Sequence, residues 1–202
     1  MKISLFPLDV VLFPGAPLAL HIFEERYKEM IGECLRRKDE FGVVRCRRDG
    51  LATVGCTASI VMVMDRYPDG RLDILCRGER RFEIEALNEQ RSFFQAEVDF
   101  LLDEEPASTR EGREQCAALH MEMMELSGGD LLEFPQVDLN QPVAYLLASA
   151  IPADLEFKQE LLHMASDAER TARMIEFYQM ILPKLQRGSM VSKAAMRNGH
   201  VM

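Results

Sequence analysis

Apolar positions recur with two different periods along this chain. In the first half they alternate with polar ones, as in the run Phe82, Ile84 and Ala86, and a further run of period two is assigned to Ala58, Ile60, Met62 and Met64. Because successive side chains of a β-strand point to opposite faces, this alternation predicts strands with one buried face. Beyond the acidic linker at 103–106 the apolar residues follow helical spacing instead. Strands first and helices second is the pattern of an α+β fold.

One helix is predicted inside the β-rich half. It covers residues 24–37, because apolar residues from Phe23 onward fall at helical spacing. Further on, the Tyr-Pro-Asp-Gly turn at 67–70 joins two alternating runs into a predicted hairpin. The second of these runs contains Gly78, which predicts a β-bulge or a sharp bend.

Four helices are predicted in the second half. They cover 108–127, 143–150, 155–164 and a long segment that opens at Ser166. The first and the last begin with Ser-x-x-Glu, a capping box in which two side chains satisfy backbone groups at the helix start. From Gly188 no apolar stripe continues, which predicts a frayed tail. The predicted divisions are a β-rich subdomain at 1–105, a helical bundle at 106–187 and a flexible tail at 188–202.

The composition and charge of the chain exclude or disfavour several classes of protein. The chain of 202 residues is 48% hydrophobic and 28% charged, which is a globular composition, and its net charge is −9. An acidic chain is a poor match for the phosphate backbone of nucleic acids. No apolar run approaches the roughly 18 residues that span a bilayer, and no secretion signal opens the chain. Five cysteines at irregular spacing indicate reduced thiols, so a cytoplasmic location is expected.

The opening of the chain carries a specific set of motifs. They are Phe6-Pro7-Leu8, Leu12-Phe13-Pro14-Gly15 and Leu20-His21-Ile22-Phe23-Glu24, followed by Arg26-Tyr27. This opening resembles the N-terminal, substrate-binding domain of the ATP-dependent Lon proteases, and in particular the free-standing bacterial proteins made of that domain alone. Further similar segments follow in family order at 41–44, 54–58, 69–71, 77–82, 146–148 and 155–162. The resemblance therefore covers most of the chain.

The resemblance implies a PUA-like β pseudo-barrel that carries one helix, followed by a C-terminal α-helical bundle. In the full protease this domain helps to select and hold protein substrates. The sequence has no G-x-x-x-x-G-K-[ST] pattern and no Gly-Lys dipeptide, so an ATPase module is not expected. Ser192-Lys193 is only an adjacent pair in the predicted tail, not a Ser-Lys protease module. The chain is therefore expected not to be an enzyme.

Cysteines and histidines offer little for metal or nucleophilic chemistry. There is no H-E-x-x-H and no C-x-x-C, so neither a metal nor a cofactor is expected. Cys116 and His120 lie four residues apart on a predicted helix, within reach of each other. They form either a thiolate–imidazole pair or, in the interpretation favoured here, a semi-buried thiol beside a solvated histidine. No catalytic residue is predicted.

Charged residues near two strands are the first candidate binding residues. His21, Glu24 and Arg26 flank the second strand and the helix start. They line the polar rim of a groove, or else the acidic residues complement the positive helix N-terminus. Arg77 and Arg80 hold an acidic group of a partner, or else they pair with neighbouring carboxylates. The internal explanation is favoured in both cases.

The helix predicted to end near Ser127 has apolar residues on two opposite sides. One stripe contains Cys116, Leu119, Met123 and Leu126, and the other contains Ala117, Met121 and Met124. Either the helix is sandwiched at the centre of the bundle, which is favoured, or the second stripe faces a partner. Methionine suits a partner surface because it adapts to varied apolar side chains. The candidate surface continues into the next loop with Leu131, Leu132 and Phe134.

Two functions follow from these observations. The first is a non-catalytic protein- or peptide-binding module that acts as an adaptor or regulator of proteolysis. Its expected partners are unfolded or partly folded polypeptides, a protease, or a second copy of itself. The alternative is a small-molecule or RNA-binding PUA-like protein, which rests on analogy between folds and which the acidic charge disfavours for RNA.

Overall fold

The computed structural model describes residues 1–128 and 137–198, and its contacts divide the chain into two units. The first unit contains Met1–Asp103 and Pro152–Ala165, and the second contains Glu104–Ile151 and the chain from Ser166 onward. The strands are β1 (Lys2–Leu8), β2 (Pro17–Ile22), β3 (Phe41–Arg47), β4 (Gly50–Leu51), β5 (Val54–Arg66), β6 (Leu72–Asn88) and β7 (Gln95–Phe100). The helices are α1 (Glu25–Arg37), α2 (Arg110–Ser127), α3 (Ala144–Ala150), α4 (Leu155–His163) and α5 (Asp167–Asn198).

The first unit is built on a sheet that closes on itself. Its strands follow the order β1-β7-β6-β5-β3, and β1 pairs in parallel with β3, which joins the two ends. β4 pairs with β3, and β2 pairs with β6. Closure buries the inward side chains and leaves few open backbone edges. The buried cluster contains Ile3, Leu5, Val44, Ala52, Phe82, Ala96 and Val98. The predicted β pseudo-barrel is confirmed.

β5 and β6 continue as a long hairpin, to which β2 adds a third strand. Three register shifts interrupt the pairing of β5 with β6: one between Cys56 and Ala58, one just before Met62 and one just after Val63. At the last two shifts an extra residue of β5 opposes a single residue of β6, which is a β-bulge. The bulges change the face that each side chain takes, so Met62 and Met64 are 51% and 44% exposed. The prediction that they continue the buried face of Ala58 is wrong for this reason.

α1 confirms the helix predicted at 24–37. One side is buried, through Tyr27, Met30, Ile31 and Cys34. The other side carries charges, as expected of an amphipathic helix at a surface. The helix ends at Arg37, where Lys38 adopts the left-handed conformation with φ of 59°.

Residues 152–165 lie in the first unit, whereas the sequence pattern places them with the helical bundle. Gln159 of α4 is buried and donates from Nε2 to the carbonyl oxygen of Val54 at 3.0 Å. Arg81 of β6 is also buried and donates to the carbonyl oxygen of Leu162 at 3.0 Å. Long-range polar contacts therefore tie α4 to the barrel, and helical periodicity carries no information about them. The independence of the predicted subdomains stays a prediction.

In the second unit α2 packs against α3 and α5. The cap of α2 is Thr109, whose hydroxyl oxygen accepts a hydrogen bond from the amide of Gly112. The predicted cap, Ser108, is one residue too early. Its hydroxyl donates instead to the buried carboxylate of Asp167 at the start of α5. Ser108 therefore links two helix starts and does not cap one.

The second predicted capping box is confirmed at the start of α5. Ser166 Oγ accepts from the amide of Glu169 at 3.2 Å, and Glu169 Oε2 accepts from the amide of Ser166 at 3.4 Å. The helix then continues past Gly188 to Asn198. The backbone is therefore helical over most of the segment predicted as a frayed tail.

Candidate functional site

A surface groove of about 300 Å³ lies where the end of β1, the end of β2 and the start of α1 meet. Its lining is mainly apolar and contains Phe6, Pro7, Leu8, Leu20, Ile22, Phe23 and Tyr27. The polar side chains of His21, Glu24 and Arg26 complete it. The structure thus brings together three of the residues proposed from sequence.

Two stacked aromatic rings support the groove. The rings of Phe6 and Tyr27 are parallel within 13°, with their centroids 4.1 Å apart. The guanidinium carbon of Arg26 lies 4.6 Å from the centroid of the Tyr27 ring, a cation–π geometry. Burial raises the pKa of Tyr27, while the positive charge of Arg26 opposes that rise. This side of the groove is therefore a rigid aromatic surface covered by one cation.

Phe23 is the most exposed apolar side chain of the groove, at 59%. The sequence places Phe23 on the buried face of α1, but it lies before the helix and its ring stacks on His21 at 6.0 Å. His21 Nδ1 is 2.5 Å from Asp73 Oδ1, and the hydroxyl of Tyr67 donates to Asp73 Oδ2 at 2.6 Å. The hydrogen bonds from Tyr67 and His21 hold the pKa of Asp73 below its usual range. An ionised carboxylate therefore fixes His21 beneath Phe23.

The two explanations offered for the acidic residues of α1 apply to different residues. Glu24 is at the N-cap position, yet its side chain makes no capping hydrogen bond; it accepts from Arg26 Nε at 2.9 Å. Glu25 lies in the first helical turn, where a carboxylate complements the helix dipole, and pairs with Lys28 at 2.7 Å. Glu24 and Arg26 therefore belong to the groove rim.

Arg77 and Arg80 lie outside this groove. Arg80 pairs with Glu40 at 2.9 Å and covers the ring of Phe100 at 3.9 Å. This agrees with the favoured explanation of an internal ion pair, although Glu40 is 40 residues away in sequence and is not a neighbouring carboxylate. Arg77 is exposed on β6, in register with Pro17 of β2. The role of these two arginines in binding stays a prediction.

α2 has one buried side. Cys116, His120 and Met123 are buried, whereas Met121 is 44% exposed and Met124 is partly buried. The interpretation of α2 as a helix sandwiched on all sides is therefore wrong, because its second stripe reaches the surface. Three further candidates, Leu131, Leu132 and Phe134, lie outside the described residues.

Cys116 and His120 do not form a nucleophilic pair. Burial raises the pKa of the Cys116 thiol to about 12, so it stays protonated near neutral pH. The favoured alternative is also wrong for His120, which is buried and not solvated. Its Nδ1 is 2.7 Å from the hydroxyl oxygen of Tyr178, and burial lowers its pKa. The pair therefore belongs to the core of the second unit.

The buried His120 predicts an acid-sensitive second unit. The unfolded chain takes up a proton near pH 6.5, whereas the folded state does so only at lower pH, so stability falls as pH drops below about 6.5. We expect His120→Phe to reduce the difference in Tm between roughly pH 7.5 and 5.5, even if its Tm at neutral pH is lower. Calorimetry at the two pH values measures this difference. An unchanged difference would assign the acid sensitivity to carboxylates.

Two further observations concern metal binding and membrane-spanning helices. Within 1–128 and 137–198, no group of three or more His, Cys, Asp or Glu side chains is placed to hold a metal ion. No helix in the same ranges is both long and apolar enough to cross a membrane. The groove offers no strongly activated nucleophile, and its chemistry is contact with apolar groups.

Fold and groove define a class of protein, a β pseudo-barrel domain joined to a helical unit and carrying an apolar surface groove. Residues 2–179 match the family described as the ATP-dependent protease La (LON) substrate-binding domain. The chain belongs to this family, as the motifs of its opening predict.

Similar curated proteins are named as Lon proteases. The chain is 28% identical to the Lon protease of Parabacteroides distasonis over 191 residues, which are 86% of this chain and 23% of that protein. It is 24% identical to the Lon protease of Escherichia coli K12 over 205 residues, which are 92% of this chain and 26% of that protein. The chain thus spans about a quarter of the length of these relatives.

Solved structures agree on the fold. A Lon N-terminal domain protein from Xanthomonas campestris superposes with a TM-score of 0.70 at 25% identity, covering 87% of this chain and 98% of that one. The N-terminal domain of a Mycobacterium avium complex Lon protease superposes with a TM-score of 0.65 at 18% identity, covering 89% and 98%. The second likeness concerns the fold alone.

Sequence reasoning found the polar rim of the groove but missed most of its apolar lining. Phe6, Leu8 and Leu20 occur in strands, where apolar residues are expected to be buried. The sequence feature that could have indicated the apolar lining is Phe23, which precedes the helix and is followed by Glu24. A large apolar residue at a helix entrance is as consistent with an exposed contact as with a buried one.

Proposed function

We propose that this protein binds unfolded or partly folded polypeptide segments in the groove and does not cleave them. The observation that carries the proposal is the exposed ring of Phe23 beside an apolar lining. Unfolded segments expose apolar side chains that folded proteins bury, and an apolar groove favours such side chains over folded surfaces. Membership in a family described as a substrate-binding domain supports the same assignment.

The free edge of β2 supplies a second means of holding a polypeptide. β2 pairs with β6 on one side, and among the described strands none pairs with its other side. An extended segment that aligns there gains backbone hydrogen bonds irrespective of its sequence, while alternate side chains enter pockets. Leu20 and Ile22 of this strand line the groove. Backbone pairing and apolar contact together suit a binder of many sequences.

Through such binding the protein acts as an adaptor or regulator of proteolysis. The curated relatives are named as Lon proteases, and they are about four times as long as the matched region. A chain with the substrate-binding domain would present a bound polypeptide to a protease or withhold it from one. The exposed Met121 on α2 remains a candidate second contact, since an exposed methionine adapts to varied partners.

Phe23→Glu tests the groove. We expect the variant to bind a labelled, permanently unfolded polypeptide at least about tenfold more weakly, because a carboxylate replaces an apolar contact worth roughly 1–3 kcal/mol. Fluorescence anisotropy measures the dissociation constant. Phe23 is 59% exposed, so the fold and Tm are expected to be retained.

Leu102→Glu is the matched control. Leu102 is 84% exposed and does not line the groove, so the same change of charge there is expected to leave binding unaltered. If Phe23→Glu binds like the parent, or if both variants lose affinity equally, the groove is not the site.

A further inference from the structure

A second exposed surface lies on the three-stranded arm made of β2, residues 72–77 of β6 and residues 59–66 of β5. One face of the arm is buried, through Leu72, Ile74 and Cys76. The opposite face, called here the outer face, carries the alternate residues of β6, namely Asp73, Leu75 and Arg77. Because the side-chain period of a strand is two, each of these residues shares the outer face with its cross-strand partners.

The register places three rows across the outer face. Arg77 lies between Pro17 and Ser59, Leu75 lies between Ala19 and Met62, and Asp73 lies between His21 and Asp65. The middle row is apolar, one end is basic and the other end is acidic. This arrangement differs from the groove, whose lining contains His21 but none of the other residues of these rows.

The two bulges of β5 enlarge the apolar part of the outer face. Each bulge places two consecutive residues of β5 opposite one residue of β6, so both take nearly the same side. Val61 and Met62 are accordingly 57% and 51% exposed, and Met64 beside Asp65 is 44% exposed. An exposed cluster of three large apolar side chains on a twisted sheet is typical of an interaction surface.

We propose that the outer face binds a second copy of this chain in a symmetric dimer. A twofold axis that runs between the two copies, parallel to their sheets and perpendicular to the strands at Leu75, reverses the order of the rows. Arg77 of each copy then meets the acidic row of Asp65 and Asp73 of the other, and the apolar rows pack between them. A symmetric interface needs a self-complementary surface, and these rows have that property.

Charge complementarity decides between a second copy and an unrelated polypeptide. Asp65 and Arg77 are exposed, and no ion pair of either residue occurs among the described residues. Their opposite charges are about four residues apart along the arm, roughly 13 Å, with the apolar row midway. An unfolded polypeptide has no fixed charge spacing, whereas a second copy reproduces this spacing by symmetry.

The expected dimer is weak. Three strands about 4.8 Å apart and roughly six residues long cover only about 300 Å² in projection, which is small for a stable interface. Association is therefore expected in the micromolar-to-millimolar range and is expected to weaken with salt. Sedimentation velocity across that range, at low and high salt, measures it with the full chain.

Two charge reversals give a test that only a twofold interface passes. Arg77→Asp and Asp65→Arg are each expected to weaken self-association about tenfold or more, because each creates two like-charge contacts in the dimer. An equimolar mixture of the two variants is expected to associate more tightly than either variant alone. In the mixed dimer the two reversed residues meet each other with opposite charges, which removes the like-charge contacts between positions 65 and 77.

Met62→Lys supplies a second test through the apolar row. It is expected to abolish association without changing Tm, because Met62 is exposed. Phe23→Glu is the matched control and is expected to dimerise like the parent. A parent that stays monomeric across the range, or a mixture no tighter than either variant alone, overturns the proposal. So does a monomeric parent in which Met62→Lys weakens polypeptide binding, which would assign the outer face to polypeptide.

Discussion

Replacing Arg81 with methionine is expected to lower the free energy of unfolding of the first unit by about 3–5 kcal/mol. The Arg81 side chain is 3% exposed. Its guanidinium donates to the carbonyl oxygens of Leu162, Met164 and Leu102 at 3.0, 2.8 and 3.3 Å. Methionine fills a similar volume but donates no hydrogen bond, so these carbonyls lose their partner at roughly 1–3 kcal/mol each when buried.

The ion pair of Arg81 contributes less than these carbonyl contacts. Asp103 lies 2.8 Å away but its side chain is 45% exposed, so water screens the charge. The expected loss therefore comes from the end of α4, whose last carbonyls Arg81 binds. Hydrogen exchange should show it directly, with amides of 155–163 losing protection before those of the barrel.

Arg80→Met is the matched control for this prediction. Arg80 is the preceding residue on the same strand, but it is 50% exposed and pairs with Glu40 at the surface. Its replacement is expected to cost less than about 1 kcal/mol. Calorimetry should show Tm lower by about 10 °C in Arg81→Met and nearly unchanged in Arg80→Met. Equal effects would contradict the role assigned to Arg81.

Local sequence patterns predicted the elements well because they record which face of each element is buried. The alternation of β5 and β6 and the helical spacing after Phe23 both arise from contact with one core. The prediction that the sheet closes into a barrel rests on the resemblance of the opening motifs to a known family, and not on the alternation of apolar and polar residues. Pairing of β1 with β3 in parallel is a long-range event that no local period encodes.

Bulges and buried polar contacts account for most of what the sequence did not predict. A bulge shifts the alternation of buried and exposed side chains by one residue. The sequence pattern therefore predicts that Met62 and Met64 are buried, although they are exposed. Gln159 and Arg81 hold α4 on the barrel through side-chain contacts with residues far away in sequence. His120 is a further case, since a polar residue on a helix is usually exposed.

The candidate site was only partly predictable for a related reason. His21, Glu24 and Arg26 are candidates because they flank a strand end and a helix start, although the helix-dipole explanation is the favoured one from sequence. The apolar lining was missed because Phe6 and Leu20 resemble core residues in any strand. Exposure of an apolar side chain depends on which elements fail to cover it, and this is a property of the assembled fold.

Gly78 shows how one residue joins the opening loop to the sheet. The sequence predicts a bulge or bend there, and the pairing of β5 with β6 does shift register beside Gly78, between the pairs Cys56–Arg81 and Ala58–Gly78. The amide of Gly15 donates to the carbonyl oxygen of Gly78 at 2.8 Å. The amide of Gly78 in turn donates to the carbonyl oxygen of Ala16 at 2.9 Å. The glycine therefore marks a close approach of two backbones, which is a second known reason for glycine in a strand.

Gly78→Ala is expected to destabilise the first unit by about 3–4 kcal/mol, through overpacking and two strained backbone hydrogen bonds. A Cβ at this position would lie 2.1 Å from the carbonyl oxygen of Phe13, and backbone atoms cannot yield as a flexible side chain can. The loop leads into β2, so polypeptide binding in the groove should weaken as well.

Gly32→Ala in α1 is the control, because its Cβ would meet only Arg36 Nη1 at 3.4 Å and helix propensity favours alanine by about 1 kcal/mol. Opposite signs of the two changes in Tm are therefore expected, and a Gly78→Ala variant as stable as the parent would mean that the loop does not rest on β6.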